Sequence, residues 1–272
     1  MNLFVSNLIA GLDKGLEHPE FLLEMTAPFH GLVGIEFFIH TYSKAYMNQL
    51  EHIEEWTNGL PLAFHGPFVT VEASSVPGTR EYCWLMESYE KAFQLVKEFG
   101  GSHVVFHDHE CFVKPEKKKK LQKQSFENMK RLEEMAAKWG LRLFLENLAL
   151  PSKGTPLFEQ DEYIELFEQF PRSDCLIDIG HLGVAGWDME HVISALKGRI
   201  KAYHLHNNDG KADSHCRIGE GVISYEYFFD LYCNYTPEAD LTLEYGDNHR
   251  ITPEQVIADL RYVWEKIKGG KN

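Results

Sequence analysis

Histidine and acidic residues cluster in the second half of the chain, where short apolar runs each end in a polar residue. Glu146 follows LRLFL, Asp178 follows CLI, and Glu244 follows LTL. His204 and His206 end the run AYHLH, and a stretch rich in aspartate and histidine comes next. Carboxylates and imidazoles are side chains that bind divalent transition-metal cations. The pattern therefore predicts a metalloenzyme.

The runs that carry these residues alternate with longer amphipathic segments, as in repeated strand and helix units around a parallel sheet. The eight runs are LFVSNL (3–8), LVGIEFF (32–38), LPLAFH (60–65), HVVFH (103–107), LRLFLE (141–146), CLID (175–178), AYHLH (202–206) and LTLE (241–244). Eight parallel strands close a barrel of about 250 residues. We therefore expect an α/β fold, a (β/α)8 TIM barrel that forms a single domain over residues 1–272.

Helix signals between the runs agree with this order of elements. Amphipathic segments over 79–99 and 117–139 are each followed by glycine, and Thr252-Pro253-Glu254 has the pattern of a helix start. The lysine run 117–120 opens the second of these helices, on the outside of the predicted barrel. We interpret this run as a solvated helix face and not as a nucleic-acid patch.

Charge and hydropathy limit the classes of partner. The chain has 27 Lys and Arg against 41 Asp and Glu, a net charge of −14 that disfavours binding to nucleic acid. No stretch approaches the roughly 18 apolar residues that span a bilayer. The first apolar stretch has no basic residues before it, so we expect no secretory signal and no membrane partner, and we predict a cytoplasmic protein. Homo-oligomerisation stays open.

In a barrel of this kind the carboxyl ends of the strands carry the chemistry. His65 and His107 end the third and fourth runs, and His109 follows two residues later, on the same side of an extended chain. A single histidine at a strand end is more often structural. However, three buried carboxylates with histidines between them need compensating positive charge, and few Lys or Arg stand near these ends. A divalent cation is the simplest source of that charge.

The order and spacing of these motifs resemble those of the xylose-isomerase-like barrel superfamily. The matching segments are Glu146-Asn147, Asp178-Ile179-Gly180-His181, His204-Leu205-His206-Asn207-Asn208-Asp209, Asp213-Ser214-His215, Gly219-Glu220-Gly221 and Leu243-Glu244, with Gly34-Ile35-Glu36 and His65-Gly66-Pro67-Phe68 in the first half. The superfamily contains sugar isomerases and epimerases, inosose dehydratases and endonuclease IV. The resemblance covers nearly the whole chain.

The resemblance implies two alternative sites. In the sugar isomerases and epimerases one metal ion is held by four ligands, which match Glu146, Asp178, His206 (or His204) and Glu244. The metal polarises the carbonyl and hydroxyl oxygens of the sugar, and the two glutamates are the catalytic acid–base pair.

Endonuclease IV instead holds three zinc ions, and the chain has a counterpart for each of their nine ligands. The counterparts are His65, His107, Glu146, Asp178, His181, the His204/His206 pair, Asp213, His215 and Glu244. The predicted cofactor is thus one to three divalent ions, with Mn²⁺, Co²⁺, Zn²⁺ and Fe²⁺ all suited to these ligands.

The loops at the carboxyl ends favour the first alternative. They contain no cluster of Lys and Arg of the kind that holds a duplex. We therefore expect a small sugar or polyol substrate, with abasic DNA as the second hypothesis and a metal-binding barrel without catalysis as the third. His109, Arg217, Lys153 and Phe68 are the predicted substrate-binding residues. Rim aromatics such as Phe112 and Trp187 are expected mainly in core packing.

Overall fold

The described residues, 1–12, 14, 16–247 and 250–269 of a computed structural model, form a closed barrel of eight parallel strands. The strands are β1 (Leu3–Ser6), β2 (Val33–Phe38), β3 (Leu62–His65), β4 (His103–His107), β5 (Arg142–Glu146), β6 (Asp174–Asp178), β7 (Ile200–Leu205) and β8 (Asp240–Leu243). Each strand pairs with its neighbour in sequence, and β8 pairs with β1. The predicted (β/α)8 barrel is confirmed.

Helices surround the strands. They are α1 (Pro19–Thr26), α2 (Lys44–Leu50), α3 (Glu54–Thr57), α4 (Arg80–Glu98), α5 (Lys118–Trp139), α6 (Gln160–Gln169), α7 (Ile179–Ala185), α8 (Met189–Leu196), α9 (Tyr225–Tyr235) and α10 (Pro253–Gly269). The Thr79 side chain accepts a hydrogen bond from the Tyr82 amide and caps α4, while Gly140 ends α5 with a φ of 71°. Both boundaries agree with the sequence pattern.

Strand alternation decides which side chains face the barrel interior. One small apolar cluster lies inside the barrel and consists of Val105, Phe144, Leu176 and Ala202. Because successive side chains of a strand point to opposite faces, the residue two positions further along each strand also faces inward. His107, Glu146 and Asp178 therefore stand above an apolar layer, at the carboxyl end of the barrel.

The contact between β3 and β4 is the shortest in the barrel. His65 with Val105 is the one pair of residues in register there, whereas β4 and β5 have five such pairs. The Gly66 amide extends the contact by donating to the Val105 carbonyl oxygen at 2.9 Å. A β-carbon on Gly66 would lie 2.3 Å from that oxygen, so glycine is required for this close approach.

The lysine run opens α5 on the outside of the barrel. Lys117, Lys119 and Lys120 are exposed, and Lys118 pairs with Glu159 and Glu162. This placement confirms a solvated face. Among the described residues, no helix is both long and apolar enough to cross a membrane.

Candidate metal and substrate site

A cavity of about 180 Å³ opens at the carboxyl ends of the strands. Its lining includes nine of the predicted site residues, His65, Phe68, His107, Glu146, Lys153, His181, Asp213, His215 and Glu244. The other wall is apolar and contains Leu8, Phe38, Leu148 and Leu150. Asp178, His204 and His206 are fully buried beside these residues. The fold thus gathers strand-end residues that are far apart in the sequence.

The first donor group consists of His65, His107 and Glu146. The two Nε2 atoms lie 3.2 Å apart and 3.3 and 3.1 Å from Glu146 Oε2. Nδ1 of His65 must donate to the Gly66 carbonyl oxygen at 2.9 Å, and Nδ1 of His107 lies 2.7 Å from the Glu110 carboxylate. With hydrogen on each Nδ1, both Nε2 lone pairs point toward a carboxylate oxygen. Three electron-pair donors about 3.3 Å apart match one face of a tetrahedron with bonds of about 2.0–2.1 Å.

The second donor group consists of His181, Asp213 and His215. Nδ1 of His181 donates to the Asn147 carbonyl oxygen at 3.0 Å, and Nδ1 of His215 donates to the Glu244 carbonyl oxygen at 2.9 Å. Both Nε2 atoms lie 3.2 Å from Asp213 Oδ2. Backbone carbonyls therefore fix the orientations of both rings and leave both Nε2 atoms directed at the Asp213 carboxylate.

A third set of donors lies between these two groups and is fully buried. His206 Nε2 is 3.0 and 3.1 Å from the two carboxylate oxygens of Asp178. His204 Nδ1 is 3.4 Å from Glu146 Oε1 and 3.3 Å from Glu244 Oε1. The structure therefore places each histidine of the pair beside buried carboxylates, Asp178 for His206 and Glu146 and Glu244 for His204, so each can supply a ligand.

Hydrogen bonding within the described chain leaves several of these buried atoms without a partner. They are both ring nitrogens of His204, His206 Nδ1, Asp213 Oδ1, Glu244 Oε1 and Glu36 Oε1. His204 Nε2 lies 2.8 Å from Glu36 Oε1, but the alignment is not that of a hydrogen bond. Burial of unpaired polar atoms is costly, and a cation relieves that cost for a carboxylate and an imidazole lone pair together. The residues therefore fit a divalent metal ion.

The two predicted catalytic glutamates have opposite electrostatic environments. Burial raises the pKa of Glu244 to about 8. Burial alone would also raise the pKa of Glu146, but the neighbouring His107 and His204 hold it well below its usual range. In the protein without metal, burial alone would lower the pKa of His107, yet Glu146 raises it to about 10. A proton on His107 then supplies the positive charge that the donor group needs.

Glu36 was not predicted as a site residue. It lies in the middle of β2 and is buried, with Oε1 beside His204 and Oε2 accepting a hydrogen bond from Thr242 Oγ1 at 2.9 Å. The sequence could have indicated Glu36, because it is a single acidic residue inside the apolar run VGIEFF, which is buried throughout. Glu110, the other missed carboxylate, lies in a loop after β4 and has no comparable signal.

Two predicted substrate-binding residues do not reach the cavity. Strand β4 ends at His107, so alternation does not extend to His109, whose buried ring lies 2.6 Å from Asp108 Oδ1. Arg217 donates two hydrogen bonds of 2.8 Å to Asp259 and one of 3.1 Å to Glu220. Its guanidinium group therefore attaches the loop after β7 to α10 and does not line the cavity.

The remaining rim residues divide between cavity and packing roles. Phe68 and Lys153 line the cavity as predicted, and the Phe68 ring centroid is 5.3 Å from that of His65. Phe112 is 63% exposed and lies outside the cavity lining, so the expectation that it packs in the core is wrong. Trp187 is partly buried and packs against the hydrophobic core, as expected, with its ring centroid 5.6 Å from that of Tyr163.

Comparisons with known proteins agree with this architecture. A D-tagatose 3-epimerase-like protein superimposes with a TM-score of 0.79 at 18% identity, over 99% of this chain and 98% of its own. An L-ribulose 3-epimerase superimposes with a TM-score of 0.76 at 15% sequence identity, over 100% of this chain and 96% of its own. The IolI protein, whose structure has a bound zinc atom, superimposes with a TM-score of 0.76 at 14% sequence identity, over 98% of this chain and 98% of its own. Among curated proteins, none matches the chain by sequence.

A sequence family described as xylose isomerase-like TIM barrel matches residues 26–265. This range includes seven of the eight strands and all the residues of the three donor groups. The chain therefore belongs to the xylose isomerase-like TIM barrel family.

Proposed function

We propose that the protein is a divalent-metal-dependent isomerase or epimerase of a small sugar or polyol. One observation carries the proposal. Glu146 and Glu244 face a single small cavity, and each has a carboxylate oxygen within 3.4 Å of the same nitrogen, His204 Nδ1. Two carboxylates this close together can act on one substrate carbon.

The cavity suits a small molecule with one polar and one apolar face. Its volume of about 180 Å³ is below the range of about 300–1,000 Å³ that is typical of sites for larger ligands. Phe38, Phe68, Leu148 and Leu150 offer an apolar wall to the C–H groups of a sugar. The similar folds of an L-ribulose 3-epimerase and of a D-tagatose 3-epimerase-like protein support this substrate class.

The proposed chemistry is a proton transfer at a carbon next to a carbonyl group. A divalent ion held by Glu146, Asp178, His206 and Glu244 would polarise the carbonyl and hydroxyl oxygens of the substrate. One glutamate removes the C–H proton and the other returns a proton to the carbon of the resulting enediolate. Proton return to the opposite face of the same carbon gives the epimer. Proton return to the former carbonyl carbon gives the isomer, with the proton of the neighbouring hydroxyl group moving to the former carbonyl oxygen.

Isotope exchange tests the proposal. Incubation with a panel of ketoses in deuterated water should place deuterium on the carbon next to the carbonyl, in a reaction that stops on chelation. Glu146→Gln and Glu244→Gln should abolish exchange, whereas Glu165→Gln, at an exposed position of α6, should leave it unchanged. If no sugar or polyol exchanges while metal is bound, the proposal is wrong, and a metal-binding barrel without this catalysis remains.

A second candidate function is a metal-dependent phosphodiesterase that acts on abasic DNA. It is favoured by the two further donor groups, His65–His107–Glu146 and His181–Asp213–His215, next to the central carboxylates. The net charge of −14 opposes it, as does a cavity lining whose one lysine, Lys153, is paired with Glu110. The phosphodiesterase function would be established over the isomerase or epimerase function by three results together. These are three metal ions bound per chain, metal-dependent nicking of abasic duplex DNA, and no isotope exchange with sugars.

A further inference from the structure

The Nδ1 atom of His107 has a different kind of hydrogen-bond partner from the Nδ1 atoms of the neighbouring histidines. Nδ1 of His65, His181 and His215 lies beside a backbone carbonyl oxygen in each case. Nδ1 of His107 lies 2.7 Å from the side-chain carboxylate of Glu110 instead. A carboxylate orients the ring as a carbonyl does, but it also adds a negative charge that makes the opposite nitrogen a stronger donor.

Glu110 is itself held from two sides. Its Oε2 atom accepts a hydrogen bond of 2.6 Å from Lys153 Nζ, and its backbone amide donates to Glu72 Oε2 at 3.0 Å. The Lys153 ammonium group donates to this carboxylate, so the carboxylate oxygens accept hydrogen bonds, and the short contact with His107 places the hydrogen on His107 Nδ1.

Lys153 belongs to a different loop, and the backbone joins the two loops at this point. The Val113 amide donates to the Lys153 carbonyl oxygen at 2.7 Å, and the Thr155 amide donates to the Val113 carbonyl oxygen at 2.9 Å. This bridge keeps the Lys153 side chain next to Glu110. The chain of contacts thus runs from the loop after β5, through Lys153 and Glu110, to the imidazole of His107.

We propose that Glu110, held in place by Lys153, is a positioning residue that directs His107 Nε2 toward Glu146 and sets the affinity of the first donor group for a divalent cation. The inference rests on the proposed function through Glu146, which belongs both to the first donor group and to the metal site of that function. It predicts an effect confined to the group of His65, His107 and Glu146. The second donor group is oriented by backbone carbonyls and does not contact Glu110.

Zinc titration of the chelator-treated full chain by calorimetry tests this inference. Glu110→Gln keeps the size of the side chain and an acceptor oxygen but removes its charge. We expect it to weaken zinc binding by about 10–100-fold at one class of sites, as substitutions behind a metal ligand do. Lys153→Met should weaken the same class of sites, and Lys153→Arg should restore it.

Glu72→Gln is the matched control, because Glu72 binds the same loop through the Glu110 and Cys111 amides without contacting a metal-binding histidine. If Glu110 only shaped the loop, Glu72→Gln and Glu110→Gln would change zinc affinity equally. Anomalous scattering from zinc-soaked crystals of Glu110→Gln should show weakened density at His107 and full density at Asp213.

The outcomes separate the two proposals. If the wild-type protein binds zinc and Glu110→Gln binds it with the same affinity and stoichiometry, the role of Glu110 is refuted and the proposed function stands. If the wild-type protein binds no divalent ion at all, both fail. Selective loss in Glu110→Gln and Lys153→Met, with binding retained in Glu72→Gln, supports the inference.

Discussion

Replacement of Gly180 by alanine tests whether His206 is a metal ligand. Gly180 lies in α7, and a β-carbon added there would be 1.9 Å from His206 Cε1 and 2.3 Å from His206 Nδ1. Ordinary contacts of this kind are 3.4–4 Å, so restoring an ordinary contact with the ring requires a displacement of 3.4 − 1.9 = 1.5 Å. The backbone cannot retreat easily, because the Gly180 carbonyl oxygen accepts a hydrogen bond from Asn208 Nδ2 at 2.8 Å.

The size of this displacement decides the outcome. Metal–ligand distances tolerate deviations of only about 0.2 Å, so a shift of 1.5 Å removes His206 from the coordination sphere. We expect metal affinity to fall by more than about 100-fold, which exceeds the usual effect of changes behind a ligand. Overpacking costs about 1–3 kcal/mol, while alanine in a helix gains about 0.5–1 kcal/mol over glycine. The variant should therefore remain folded.

The assay compares zinc binding and urea unfolding of Gly180→Ala with those of Gly183→Ala. At Gly183 the added carbon would meet the Ile223 side-chain tip at 2.6 Å, and that half-buried tip can rotate away. Gly183→Ala should bind zinc as the wild type does. Wild-type zinc affinity in a folded Gly180→Ala would refute ligation by His206 and assign the ligand to His204.

Four further predictions concern the glutamates, stabilisation by metal, the metal-free state and the rim. Glu146→Gln and Glu244→Gln should each lower metal affinity and activity, and full metal occupancy in the double variant would contradict the assignment. Metal at 100 times its dissociation constant should stabilise the fold by about 2.7 kcal/mol, measured by urea unfolding with and without chelator. In chelator, the raised pKa of His107 should stabilise the folded state. This contribution to the free energy of unfolding is complete below about pH 6.5 and is lost as the pH rises through about 10. A free energy of unfolding that does not change over this pH range would argue against the pairing of His107 with Glu146. Asp259→Asn should weaken the attachment of Arg217 and lower the free energy of unfolding by about 1–2 kcal/mol without abolishing zinc binding.

The strands and most of the side chains of the candidate metal site could be predicted from sequence because both depend on local patterns. Apolar runs mark buried parallel strands, and the residue that ends such a run lies at the carboxyl rim. The run 103–107 matches β4 in full, and Glu146 and Asp178 are the last residues of β5 and β6. Convergence of the predicted residues then follows from closure of the barrel.

Residues outside that pattern could not be placed. Strand alternation extended past His107 predicts that His109 faces the site, but the strand has already ended at His107. Arg217 has the charge of an anion-binding residue, but its partner Asp259 is 42 positions away in α10. Glu110 reaches His107 only because the loops after β4 and β5 are bridged at Val113 and Lys153. These contacts depend on tertiary structure that no local pattern records.

The short contact between β3 and β4 has a consequence for local opening of the barrel. The two strands share one register pair and the hydrogen bond from Gly66 to Val105, so little backbone pairing holds them together. His65 and His107 stand on either side of this seam, with their Nε2 atoms 3.2 Å apart. A cation bound between them would cross-link the strands where the backbone does so least. Amide hydrogen exchange at Gly66 should therefore respond to metal removal more than exchange of the amides that pair β4 with β5, because the least supported segments of a fold open first.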